Sequence, residues 1–145
     1  FFLMIRRPPI FPLSSSSAAS DVYKRQAVVP APSSLALGRR ALVELLEKDP
    51  GLQAVCCSSD TLAQGVMVEA LARGMRVPQD LAICGFGDAE FAAHTVPSIS
   101  TVHVDGPGIG RLAAQIIVSR SRGEQVAQTV HDLGFRLIER QSTGG

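Results

Sequence analysis

The residue pattern predicts an alternating α/β domain built on a parallel sheet, and three observations carry that prediction. Two short apolar runs, residues 54–57 and 81–84, have the length and composition of strands. One helix's worth of sequence separates them, ending in Gly74 with Pro78 soon after. Each run ends in a small polar cluster: Ser58, Ser59 and Asp60 after the first, and Gly85, Phe86, Gly87 and Asp88 after the second. A strand–helix–strand unit of this size makes a right-handed crossover, so the two strands lie parallel in one sheet. Ligands collect at the carboxyl ends of such strands, which is where both clusters fall.

Residues 1–26 show neither helical nor strand periodicity. Arg6 and Arg7 follow the apolar residues 1–5, the reverse of a secretory signal, and the chain begins with Phe, which points to a truncated start. The stretch resembles adapter-derived sequence and is expected to be disordered and separate from a domain over residues 27–145. Order begins with residues 27–29, which read as the end of a strand. Ser33 or Ser34 can cap the next helix, whose Leu42, Val43, Leu45 and Leu46 form an apolar side while Glu44 and Lys48 pair at the surface. Pro50 and Gly51 stop it.

Ser59 or Asp60 starts a second helix with Leu62, Val66, Met67, Ala70 and Leu71 as its apolar residues and Gly74 at its end. Residues 90–94 form a short helical turn, and residues 99–104 a strand. Asp105, Gly106 and Pro107 open a third helix with a clean stripe of Ile109, Leu112, Ala113, Ile116 and Ile117, closed by Gly123. Residues 126–130 and 135–138 read as extended.

Composition narrows the function. Of 145 residues, 46% are apolar and 19% charged, as in an ordinary globular domain, and no apolar run is long enough to span a membrane. The formal charge of +1 misleads, because four of the 14 bases but only Asp21 among the 13 acids lie in residues 1–26. The remainder has ten bases and twelve acids, a net of −2. That is the wrong sign for gripping nucleic-acid phosphates. Cys56, Cys57 and Cys84 lack metal-ligand spacing and read as reduced thiols filling core volume in a cytoplasmic protein.

No catalytic constellation emerges. His94, His103 and His131 are far apart, and a lone His in a half-buried strand is more often structural. Nucleophile-elbow, phosphate-loop and zinc-protease patterns are missing. The GPGIG run at residues 106–110 follows a strand and opens a helix, but its last two glycines are one residue apart where a dinucleotide fingerprint needs two. No enzyme, cofactor or metal is therefore expected. Ser59, Asp60, Gly87 and Asp88 remain. Capping explains Ser59 or Asp60 alone, and the two adjoining clusters together favour a ligand cleft.

From about Pro32 to Thr143 the chain resembles the C-terminal part of the lactose/galactose-repressor (LacI) family of bacterial transcription regulators. The matching pieces, in family order and spacing, are PSSLALGRRAL, CSSDTLAQGVMVEALARG, VPQDLAICGFGDAEFA, PSISTV, IGRLAAQII and DLGFRLIERQST. The DLGF ending is more similar to the gluconate-repressor branch. The resemblance implies a periplasmic-binding-protein-like (type I) effector domain, incomplete here, with a parallel sheet flanked by helices. It places the helix-turn-helix and most of a first subdomain outside this chain, so operator DNA is met only through that missing head. The third helix would pack on the missing subdomain, and its stripe is expected to stand exposed.

Carried over by position, the effector contacts are Ser33, Ser34, Ser59, Asp60, Gly87 and Asp88. Ser59 stands where many sugar-binding relatives have Asn, and Gly87 where many have Asp. Those departures point from a neutral sugar to a sugar acid such as gluconate, since a missing carboxylate removes repulsion. Homodimerisation is a further implication. Two rivals are a periplasmic sugar-binding protein of a transporter, which a secretory signal upstream would mark, and a nucleotide-dependent oxidoreductase, which NADH binding would revive.

Overall fold

A computed structural model describes residues 2–4, 26–124 and 130–144. Strands β1 (Phe2–Met4), β2 (Ala54–Cys57), β3 (Ala82–Phe86), β4 (Ser100–His103) and β5 (Arg136–Ile138) form one five-stranded sheet in that spatial order. Helices α1 (Leu35–Lys48), α2 (Asp60–Ala72) and α3 (Gly106–Ser121) connect them, with 3-10 turns at Glu90–Ala93 and Gln141–Thr143.

The expected parallel pairing is present. β2, β3 and β4 run parallel, with Cys56 opposite Cys84 and Gly85 opposite Thr101. The sheet as a whole is mixed, because β5 returns antiparallel to β4 and β1 is antiparallel to β2. Residues 1–26, set apart as disordered by the sequence, lie largely outside the described residues. Within that stretch, Phe2–Met4 pairs with β2. An unpaired strand edge offers a row of free backbone groups, and a short apolar segment takes them.

Faces follow from the two-residue period of the strands. Val55, Cys57, Ile83, Gly85 and Thr101 are buried and face α2 or the core. Cys56 and Cys84, on the other face, are half-buried. The reading of all three thiols as core filler holds for Cys57 alone. The core joins Ala41, Leu42 and Leu45 of α1 to Leu62, Ala63, Val66, Met67 and Ala70 of α2, above Val55 and Ile83.

Helix α1 crosses α2 where two glycines meet. A Cβ on Gly38 would lie 2.3 Å from the Leu62 carbonyl oxygen, and one on Gly65 would lie 2.3 Å from that of Leu35. Backbones this close exclude any side chain at either position. Local signals set the helix ends as expected. Ser34 caps α1, Ser59 caps α2 and Asp105 caps α3, with Pro107 in its first turn. Lys48 pairs with Glu44 at the end of α1.

Three element readings need correcting. Residues 27–29 are not a strand, although Ala27 is fully buried. Leu71, assigned to the apolar side of α2, is 44% exposed, because that stripe drifts off the contact with α1 and the sheet. Residue 135 stays outside β5, and of the extended segment at 126–130 only Val130 lies within the described residues.

Candidate functional site

The parallel register brings the ends of β2, β3 and β4 to one edge of the sheet. Ser59 stands there as the N-cap of α2, its Oγ accepting from the Leu62 N–H at 3.3 Å. Ser58 beside it is exposed. Past β3 the chain turns through Gly87 (φ 117°) and Asp88 (φ 55°), two successive left-handed residues. Glycine takes that conformation freely, whereas Asp88 needs its side chain fixed to hold it.

Asp60 sits inside this edge. Only 2% of it is exposed, and both carboxylate oxygens are engaged. Oδ2 accepts the Ala89 N–H at 2.6 Å, and Oδ1 accepts the Thr101 hydroxyl at 2.6 Å. A Cβ on Gly85 would lie 2.1 Å from Oδ1, so the bare backbone of β3 is what lets the carboxylate in. Asp60 thus ties the start of α2 to the loop after β3 and to the middle of β4. It is a positioning residue for Gly87 and Asp88, and its own oxygens face inward.

Asp88 is held from two sides. Its Oδ1 accepts from Arg140 Nη2 at 2.7 Å, and its Oδ2 lies 3.0 Å from His103 Nδ1. Its N–H donates to Thr101 Oγ1 at 3.3 Å. Hydrogen bonding from Arg140 and, more weakly, from His103 holds the Asp88 carboxyl below the usual carboxylate range against the opposing effect of burial. Arg140 is itself anchored, its Nη1 donating to the Ile99 carbonyl at 2.8 Å. Sequence reasoning missed Arg140 and set His103 aside as structural. No local spacing links Arg140 to Asp88, 52 residues away.

His103 also lines an open groove of about 340 Å³ with Asp105, Leu133, Gly134, Phe135 and Arg136. His103 and Arg136 are register partners across β4 and β5, which places both on one face. Ser33 is exposed, and Ser34 uses its Oγ to accept the Leu37 N–H at 3.2 Å. Both stand at the start of α1, which meets α2 at Gly65, one turn past the Ser59 cluster. The structure therefore unites Ser59, Asp60, Gly87 and Asp88, while Ser33 and Ser34 lie on the neighbouring helix start. A second groove, about 300 Å³ between residues 28–30 and α1, contains none of the candidate residues.

The edge so built, strand tips of a parallel sheet with capped helix starts, is matched by a model of the periplasmic binding protein-like domain over residues 12–143. The chain belongs to that family. The match begins at residue 12, inside the stretch that composition set apart.

The chain is 40% identical to the HTH-type transcriptional regulator GntR of Pseudomonas aeruginosa, over 80% of this chain and 34% of that protein. It thus spans about a third of the length of that curated relative. Among solved structures it is similar to the transcription regulator GntR from Chromobacterium violaceum, with a TM-score of 0.74 and 36% identity over 88% of this chain and 48% of the other. It is also similar to the transcriptional regulator CelR in a cellobiose complex, with a TM-score of 0.70 and 31% identity over 75% of this chain and 33% of the other. All three relatives are transcription regulators. The chain is also similar to a LacI-type transcription regulator from Bifidobacterium animalis subsp. lactis, with a TM-score of 0.68 and 28% identity over 77% of this chain and 40% of the other, in line with the family resemblance. No described helix is long and apolar enough to cross a membrane.

Proposed function

We propose that this chain is the effector-sensing part of a LacI-type transcription regulator, and that its effector is a sugar acid of the gluconate class. One observation carries the choice of an acid. Both carboxylates built into the edge, Asp60 and Asp88, are engaged inside the protein, and Gly87 adds none. The tips around Ser58, Ser59 and Gly87 stand at the start of α2, where the helix dipole favours an anionic ligand over repelling it. Ser33 and Ser34 extend the same polar surface from the start of α1. Arg136 supplies a positive charge along the adjoining groove, which Asp105 also lines.

The regulator works by population shift: the effector binds one arrangement of the whole protein more tightly and so biases its grip on operator DNA. Couplings of about 1–3 kcal/mol are typical of such linkage. In this reading the whole protein is a cytoplasmic homodimer, and the DNA-reading head lies outside residues 27–145.

Calorimetry on the whole regulator tests the effector class. Gluconate binds and glucose does not, on this reading; tight binding of a neutral sugar with no response to gluconate overturns it. Gly87→Asp and Gly87→Ala share the backbone strain but differ in charge. The Asp variant should lose about tenfold or more in gluconate affinity beyond the Ala variant, roughly 1.4 kcal/mol.

A further inference from the structure

Cys56 and Cys84 are unexplained by the effector edge. They stand opposite each other in the β2–β3 register, both on the sheet face away from Asp60, and both are half-buried. Registered residues on neighbouring strands lie about 4.8 Å apart, inside the window of about 4.4–6.8 Å between the Cα atoms of disulfide-linked cysteines. Cys57 points to the opposite face and is buried, so it is not a competitor.

We propose that Cys56 and Cys84 form a redox-responsive dithiol, which a hydroperoxide closes to a cross-strand disulfide. The Cys56 thiolate attacks the terminal peroxide oxygen, breaking the O–O bond and giving a sulfenic acid and, after protonation, an alcohol (water from hydrogen peroxide). The Cys84 sulfur then attacks the Cys56 sulfur and expels water as the S–S bond forms. Two thiols lose two electrons in all, and the peroxide takes them.

The order of attack follows from the local hydrogen bonding. Cys84 stabilises the thiolate of Cys56 and lowers its pKa to about 7 despite partial burial, and that contact together with burial pushes Cys84 up. Burial raises Cys57 well above the ordinary thiol range, which leaves it inert. The bond would lie two residues before Ser58 and before Phe86, and so would fix the spacing of the two strand tips.

The test treats the whole chain with hydrogen peroxide and counts thiols. A fall from three free thiols to one, with the loss of two hydrogen atoms in mass and a peptide joining β2 to β3, supports the proposal. A count that stays at three, a Cys56–Cys57 link, or oxidation stopping at singly modified thiols overturns it. Cys57→Ser should leave the cross-strand bond intact, and Cys84→Ser should abolish it and trap Cys56 as a sulfenic acid. Peptide mapping needs no variant, so a variant that fails to fold does not rescue the idea. In the unsubstituted chain, alkylation of Cys56 should rise with a midpoint near pH 7.

Discussion

At the scale of single residues, Asp60 sets the geometry of the strand-tip edge from inside the protein, with both carboxylate oxygens engaged. Removing its carboxylate leaves the Ala89 N–H and the Thr101 hydroxyl without their partners, and each such loss costs about 1–3 kcal/mol. Asp60→Ala should therefore destabilise the chain by several kcal/mol in urea unfolding. Gly85→Ala tests the same contact from the other side. Its new methyl would meet Oδ1 head-on, and overpacking of this kind costs about 1–3 kcal/mol.

Asp88 makes the pH prediction. Its folded pKa is lowered, so its stabilising share is complete above the unfolded value of about 3.9 and is lost as pH falls through the folded value. Asp80, drawn down to about 2 chiefly by its hydrogen bond from Arg76, acts in the same sense on the turn before β3. Acid titration followed by circular dichroism should show stability declining below about pH 4, and Arg140→Met should flatten part of that decline.

At the scale of elements, the α1–α2 crossing sets the helix layer over the sheet. Alanine is a better helix former than glycine by about 1 kcal/mol, so propensity alone favours Gly38→Ala and Gly65→Ala. The contacts at 2.3 Å with opposing carbonyls reverse that sign, and both variants should lower the urea midpoint. A rise in the midpoint would show that the helices can separate at no cost. Capping was plain from the sequence because it is local: Ser34 and Ser59 each bond an N–H three residues on. The glycine crossing was not legible, since neither position carries a periodic signal and the partner lies 27 residues away.

At the scale of the molecule, α3 stands outside the core. It buries no residue: Ile109 and Ile117 are 49% and 67% exposed, while Leu112 and Ile116 of the same stripe are half-buried, so the exposure expected from the resemblance is met only in part. Exposed apolar residues grouped on one helix in this way mark a contact surface. Ile109→Gln with Ile117→Gln should reduce binding of an apolar fluorescent dye while shifting stability by no more than about 0.5 kcal/mol. A large loss of stability would mean that the stripe already has a partner in the folded chain.

By itself the sequence determined most of the elements: the parallel strands β2, β3 and β4, where the helices start and stop, and that two polar tips share one edge. Those properties rest on residue periods and on neighbours a few positions apart, so they can be read along the chain. Only the tertiary structure decided what the carboxylates do. Asp60 meets partners 29 and 41 residues away, and Asp88 meets Arg140 at 52, because adjoining strands bring distant positions together. The same cause placed Cys56 beside Cys84, since register between strands has no signature in either strand alone.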